Sequence, residues 1–294
     1  MFECSIEGLL LKRLVECLKD MCADASFVCK AEGISLIAMD GSHVAVVNLN
    51  LDLDLFHKYR CDRSIELGLS IPNLLLALQP VKTAETLVHL SSLHGADADE
   101  EDDVVLHVNI EEPGTGDSWS MELRLLDVEA EPLTVPQEEH EAVAVVNAKE
   151  LQDLIRYLNS FCESVVVRME KSCLKLSARG DSLAASRKLH VDNMMCSAPT
   201  EQEFAARYLN IFMKGAALSE SVEIACSRGQ PMRVLFALRL QADCEREGKK
   251  KGGGSDKLLH HDVKMEEEGN GVAGSSRSSF LAFYLAPRID EADE

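Results

Sequence analysis

Apolar positions along the chain follow two rhythms. Leu11, Leu14, Val15, Leu18 and Cys22 recur three and four residues apart, which predicts an amphipathic helix over Leu9–Met21 with one face on a core. Phe27–Ala38 then alternates about Gly33, and His43–Leu53 alternates again, as half-buried antiparallel strands joined by a turn do. Ser64–Ser70 predicts another strand, and Pro72–Leu78 a short apolar helix opened by its proline. Thr86–Leu90, Val104–Ile110 and Trp119–Leu126 complete a first set of strands.

The second half repeats this order. A shift of 140 carries the helix stripe onto Leu151, Leu154, Ile155, Leu158 and Cys162, and carries Phe27, Ile34, Leu36 and Ala38 onto Val167, Leu174, Leu176 and Ala178. Further along, Leu74–Leu78 matches Ala205–Lys214, and Ser92 matches Ser227 at an offset of 135. Two copies of one unit are therefore expected, each a sheet assembly with two helices packed on one face. The fold class is α+β, with domains at 1–125 and 141–294.

Two stretches interrupt the pattern. Residues 126–140 carry Pro132, Pro136 and a string of glutamates, and read as an extended connector, since proline suits neither a helix interior nor a central strand. Residues 245–279 are rich in Gly, Ser and mixed charge and lie between strand candidates Arg233–Gln241 and Phe280–Leu285. They are expected to form a disordered insertion in a hairpin.

Composition narrows the class. The chain is 46% hydrophobic and 27% charged, as a globular protein is. No apolar run is long enough to span a bilayer and no secretory signal opens the chain, so no membrane partner is expected. The ten cysteines show no C-x-x-C pair and are expected to be reduced, without metal. No Ser/His/Asp or Cys/His grouping sits in a supporting motif, so neither catalysis nor a cofactor is expected. Arg179-Gly180-Asp181, Lys249–Gly254, His260-His261 and Asp97–Asp103 each lack the context of an adhesion, phosphate, metal or calcium site.

A formal net charge of -20 excludes a protein that coats nucleic acid with its whole surface, and makes any basic strip conspicuous. Lys12 and Lys19 are seven residues apart and return to nearly the same helical angle, while Arg13 lies away from the apolar stripe. An ordinary solvated helix face accounts for these residues equally well.

Met1-Phe2-Glu3, Gly33–Val44 (GISLIAMDGSHV), Tyr59–Arg63 (YRCDR), Leu126–Glu129 (LDVE), Arg207–Asn210 (RYLN) and Tyr284–Ile289 (YLAPRI) before an acidic tail resemble the eukaryotic sliding clamps, the proliferating cell nuclear antigen family. The resemblance implies two similar clamp domains per subunit and three subunits in a closed ring, a nuclear homotrimer around duplex DNA that serves as a polymerase processivity factor. It implies DNA contacts without base readout from Lys12, Arg13, Lys19, Lys149, Arg156, Arg207 and Lys214, again with pairs seven apart. The fourth helix departs from the family pattern, with Leu76 and Gln79 in place of lysines, and Asp153 is the repeat counterpart of Arg13. A less basic hole is expected.

The resemblance also implies a groove for short peptide motifs of replicative polymerase, clamp loader and other replication proteins. It would be built from Met39, His43, Val44, Leu133, Val135, Pro136, Pro231, Tyr284, Leu285, Ala286 and Pro287. Subunit contacts are expected between the edge strand at Asp117–Arg124, with Trp119 and Met121, and the edge at Ser182–His190, with Ala184 and Ser186. Lys171 matches the lysine modified by ubiquitin-like proteins. Two other readings stand beside this one: a subunit of a heterotrimeric checkpoint clamp, and an enzyme whose groups converge only in three dimensions.

Overall fold

The computed structural model of the chain describes residues 1–92, 105–114, 116–128, 133, 139–240 and 278–288. Asp97–Asp103, most of the connector and nearly all of the 245–279 insertion lie outside them. The first repeat runs β1 (Phe2–Glu7), α1 (Gly8–Leu18), β2 (Asp24–Lys30), β3 (Gly33–Met39), β4 (Ala45–Asp52), β5 (Phe56–Cys61), β6 (Ile65–Ser70), α2 (Ile71–Ala77), β7 (Leu87–Ser92), β8 (Val105–Glu111) and β9 (Ser118–Arg124). The second runs β10 (Ala142–Asn147), α3 (Ala148–Asn159), β11 (Ser164–Glu170), β12 (Cys173–Arg179), β13 (Ala184–His190), β14 (Met194–Cys196), β15 (Thr200–Ala205), α4 (Ala206–Phe212), β16 (Ser221–Cys226), β17 (Met232–Ala237) and β18 (Phe280–Leu285).

The sheets repeat strand for strand. The order β5-β1-β7-β8-β9 recurs as β14-β10-β16-β17-β18, and β6-β2-β3-β4 recurs as β15-β11-β12-β13. All pairs are antiparallel. The offset of 140 holds from β1 through β3, and 135 relates α2 to α4. One more residue is gone before β7: Glu7 pairs with Leu87 while Asn147 pairs with Ser221, so Ser92 matches Cys226 rather than Ser227. Periodicity alone does not mark β1, where every side chain but that of Glu3 is buried and no alternation survives.

One pairing joins the repeats. β18 lies against β4, with Leu281 opposite Leu49 and Phe283 opposite Val47, and fuses five strands of the second repeat with four of the first into a nine-stranded sheet. The alternation in β4 puts Ala45, Val47, Leu49 and Leu51 inward. Phe283 stacks on Phe212 of α4 with centroids 4.5 Å apart and meets Phe236 edge-on. The hairpin expected around the long insertion is present at its base, since Ala237 pairs with Phe280 and Leu238 N–H donates to Ser279 O.

Leaving β9, the chain turns back so that Leu126 N–H donates to Gly68 O at 2.8 Å. A Cβ at Gly68 would come within 2.0 Å of Leu126 O, so only glycine admits the connector there. Leaving β18, Arg288 N–H donates to Glu203 O in the same way, also at 2.8 Å. The described cysteines are unpaired, and burial pushes Cys4, Cys17 and Cys226 up to about 12, which suppresses thiolate chemistry.

Candidate DNA-facing layer, partner groove and ring edges

The apolar stripes of α1 and α3 bury Leu11, Leu14, Val15 and Leu18, and Leu151, Leu154, Ile155 and Leu158, which turns the intervening positions outward. Cys22 is only half-buried. The helices touch in series: α2 on α1, α1 on the 3-10 turn Met213–Ala217 that extends α4, and α4 with that turn on α3. This layer carries Lys12, Arg13, Lys19, Lys149, Arg156, Arg207 and Lys214 against Glu16, Asp20, Glu150 and Asp153, a positive excess in a chain that is strongly negative overall.

The seven cations differ in what holds them. Lys12 donates from Nζ to Val81 O at 2.9 Å and Gln79 O at 3.3 Å, satisfying carbonyls beyond the C-terminal end of α2, where a cation also meets the favourable end of the helix dipole. Arg13 donates to Ala217 O at 3.1 Å across the repeat boundary, and Lys214 pairs with Asp20. Asp153 binds both Lys149 at 3.1 Å and Arg156 at 3.3 Å. Lys19 and Arg207 are exposed, and Arg207 lies over the ring of Tyr208, 4.6 Å from its centroid. On α2, Leu76 is 61% exposed and no cation stands in that helix.

Groove candidates Met39, His43, Val44, Tyr284 and Ala286 lie where β18 ends beside the β3–β4 loop. Asp40 organises that loop: its Oδ1 accepts from Val44 N–H at 2.8 Å and Ala45 N–H at 2.7 Å, and its Oδ2 from Ser42 N–H at 3.0 Å and the Tyr208 hydroxyl at 2.5 Å. Burial opposes ionisation of Asp40, but the Tyr208 hydroxyl and the amides of Ala45, Ser42 and Val44 outweigh it and hold its pKa at about 2. His43 takes a left-handed φ of 56° at the tip and puts Nδ1 3.0 Å from Met39 Sδ, while Val44 accepts from Ala286 N–H at 3.0 Å and exposes its side chain.

Tyr284, Ala286 and Pro287 are half-buried along the same edge, and exposed Pro231 precedes Met232, which pairs with Leu285. Leu285 itself is wholly buried, so it belongs to the core and not to the groove wall; its strand alternation turns it inward. Leu133 is half-buried, and Val135 and Pro136 lie outside the described residues.

The outer strands carry the remaining candidates. β9 ends one sheet and β13 another, each with no strand beyond it among the described residues. Both are copies of paired strands: β9 corresponds to β18 and β13 to β4. Following the ladders through β8 and β17, Trp119 stands where Leu281 stands and Met121 where Phe283 stands. Following β12 and β3, Ala185 stands for Val47 and Arg187 for Leu49. Leu281 and Phe283 are fully buried, whereas Trp119 is 51% exposed and Met121 half-buried.

Ala184 and Ser186 are exposed on β13, and a cavity of about 390 Å³ opens between that strand and α3, lined by Leu154, Tyr157, Leu158, Ala185 and Arg187 among others. Arg187, which pairs with Glu150, is an edge residue that sequence pattern did not mark. Lys171 is exposed at the apex of the β11–β12 hairpin with φ of 52°.

Two copies of one two-helix unit, cations gathered on the helix layer, and two open strand edges that copy a paired joint define a sliding clamp, the processivity factor of DNA synthesis. Models of the proliferating cell nuclear antigen N-terminal and C-terminal domains match residues 1–132 and 134–243. Proliferating cell nuclear antigen 2 of Plasmodium falciparum is 33% identical over 249 residues, covering 82% of this chain and 92% of its own length. The proliferating cell nuclear antigens of Chaetomium thermophilum and Caenorhabditis elegans are 30% and 28% identical, each over 99% of this chain and 99% and 98% of their own lengths.

The chain belongs to the proliferating cell nuclear antigen family. A checkpoint-clamp subunit is not favoured, and the family is one of non-enzymatic clamps associated with DNA and its polymerases. Among the described residues no helix is long and apolar enough to cross a membrane.

Proposed function

We propose that three copies of the chain close head to tail into a nuclear ring that slides on duplex DNA and tethers replication proteins. The observation that carries this reading is that β9 and β13 are the repeat counterparts of β18 and β4, which already pair within the chain. Laying β9 on β13 of the next copy in the same register sets Trp119 beside Arg187, Ser120 beside Ser186 and Met121 beside Ala185, with Trp119 and Met121 over the cavity at α3. Each closure removes two unpaired edges. Three as the number of copies comes from the family resemblance.

In the ring, Lys12, Arg13, Lys19, Lys149, Arg156, Arg207 and Lys214 neutralise phosphates without reading bases, which leaves the clamp free to slide. The groove at Met39, His43, Val44, Leu133, Val135, Pro136, Pro231, Tyr284, Ala286 and Pro287 takes peptide motifs of polymerase and clamp loader. Exposed Lys171 is the site of ubiquitin-like modification. The chain has no catalytic role of its own. The test is DNA synthesis on a singly primed circle with polymerase and clamp loader: a sample with three times the monomer mass of 32.4 kDa lengthens the products. A monomer, or a trimer that leaves product length unchanged, overturns the reading.

A further inference from the structure

The Tyr208 hydroxyl sits between two functional regions. It donates to Asp40 Oδ2 at 2.5 Å on one side and accepts from Arg207 Nη2 at 3.0 Å on the other. Asp40 and Tyr208 are 6% and 4% exposed, so this chain of bonds runs through the interior, from the first repeat to the second. Its outer end is the set of amides of Ser42, Val44 and Ala45, which shape the tip at His43 and Val44. Its inner end is the guanidinium of Arg207.

The fold does not require the arrangement. In the repeat-equivalent places stand Gly180 for Asp40 and Asn73 for Tyr208. No side chain fits at Gly180, because a Cβ there would come within 2.1 Å of Phe161 O; its turn keeps the backbone bond from Gly180 N–H to Leu183 O, the counterpart of Asp40 N–H donating to Ala45 O, and has no carboxylate at that place to add to it. The open edges therefore lack the network that the joint within the chain possesses.

We propose that Asp40 and Tyr208 are a positioning pair that holds the 41–44 tip of the partner groove and the DNA-facing Arg207 as one hydrogen-bonded unit, so that a change at either end is felt at the other. What the two ends contact rests on the function proposed above; the coupling between them does not. The physical reason is cooperativity: a guanidinium donating to the hydroxyl oxygen makes the hydroxyl a stronger donor to the carboxylate, in a setting poor in water. The carboxylate in turn anchors three amides, and losing one of its charge-assisted bonds loosens its hold on the others.

Amide hydrogen exchange of the full-length chain, followed by mass spectrometry, tests the proposal without any partner. Tyr208→Phe keeps the ring and removes only the hydroxyl, and exchange in a fragment covering residues 39–47 should quicken by about tenfold. A fragment covering β12, in the other repeat, should be unchanged. Arg207→Ala removes an exposed side chain far from the tip along the network, and should quicken the same 39–47 fragment by about threefold, in line with loss of cooperative polarisation.

Unchanged exchange at 39–47 in Tyr208→Phe overturns the positioning role, as does equal quickening in both fragments, which would mark general destabilisation. An effect of Tyr208→Phe with none of Arg207→Ala overturns the coupling. If the clamp assay fails while both variants quicken the tip, the pair stands and the function proposed above falls.

Discussion

Replacing Trp119 separates the ring register from mere edge contact. Trp119 is 51% exposed in the single chain, while Leu281, in the equivalent place, is fully buried by its partner strand. Covering the remaining half of a tryptophan removes on the order of 120 Å² from water, worth about 3 kcal/mol per joint. In the proposed register this side chain stands beside Arg187 of the neighbouring copy.

Trp119→Lys therefore loses that burial and sets like charges opposite each other, adding up to about 1 kcal/mol of repulsion. The joint should weaken by at least about a hundredfold, at 1.4 kcal/mol per factor of ten. Trp119→Glu loses the same burial but faces Arg187 with an opposite charge, and should weaken the joint less. Light scattering over a dilution series reads the result: Trp119→Lys should fall to the 32.4 kDa monomer at concentrations where Trp119→Glu retains part of the ring mass. An intact ring for Trp119→Lys refutes the edge assignment, and indistinguishable behaviour of the two variants refutes the register.

Asp40 should leave a mark on acid stability. Its folded pKa of about 2 lies below the unfolded value of 3.8, so the stabilisation of about 2 kcal/mol is fully present above pH 4 and is lost as pH falls towards 2. Urea unfolding of Asp40→Asn should show a flatter decline across that window than the parent, and an unchanged slope would refute it. Lys12→Met should lower stability by about 1 kcal/mol because it strips the cap from the carbonyls after α2, whereas Lys19→Met should stay within about 0.5 kcal/mol. Equal losses for the two would show that the cap contributes nothing. Replacing residues 245–276 with a short Gly/Ser turn should move Tm by less than about 2 °C, because the strands at the base already pair from Ala237 to Phe280. A larger drop in calorimetry would give the insertion a structural role.

Much of the fold is written in local spacing. The stripe on α1 and its copy on α3, the alternation in β4, and the offset of 140 from α1 through β3 are periodic signals, because every turn of helix and every second strand residue meets the same core. The cation pairs 12/19, 149/156 and 207/214 are legible for the same reason, and so is the charge contrast between the helices and the rest of the chain. YRCDR and the terminal YLAP carried the family resemblance before any strand was paired.

Tertiary structure decided what spacing cannot express. A sequence offset does not say that β18 lies on β4, and without that pairing nothing relates the place of Trp119 to that of Arg187. Leu285 sits in sequence among half-buried Tyr284, Ala286 and Pro287 and is core because its strand turns it inward. Asp40 and Tyr208 are 168 residues apart and meet only because the two repeats share a sheet. Periodicity records which face of an element meets apolar surroundings; it holds no record of which distant element supplies them. Strand partners, open edges and polar contacts between repeats arise from that second choice, which the packed chain alone makes.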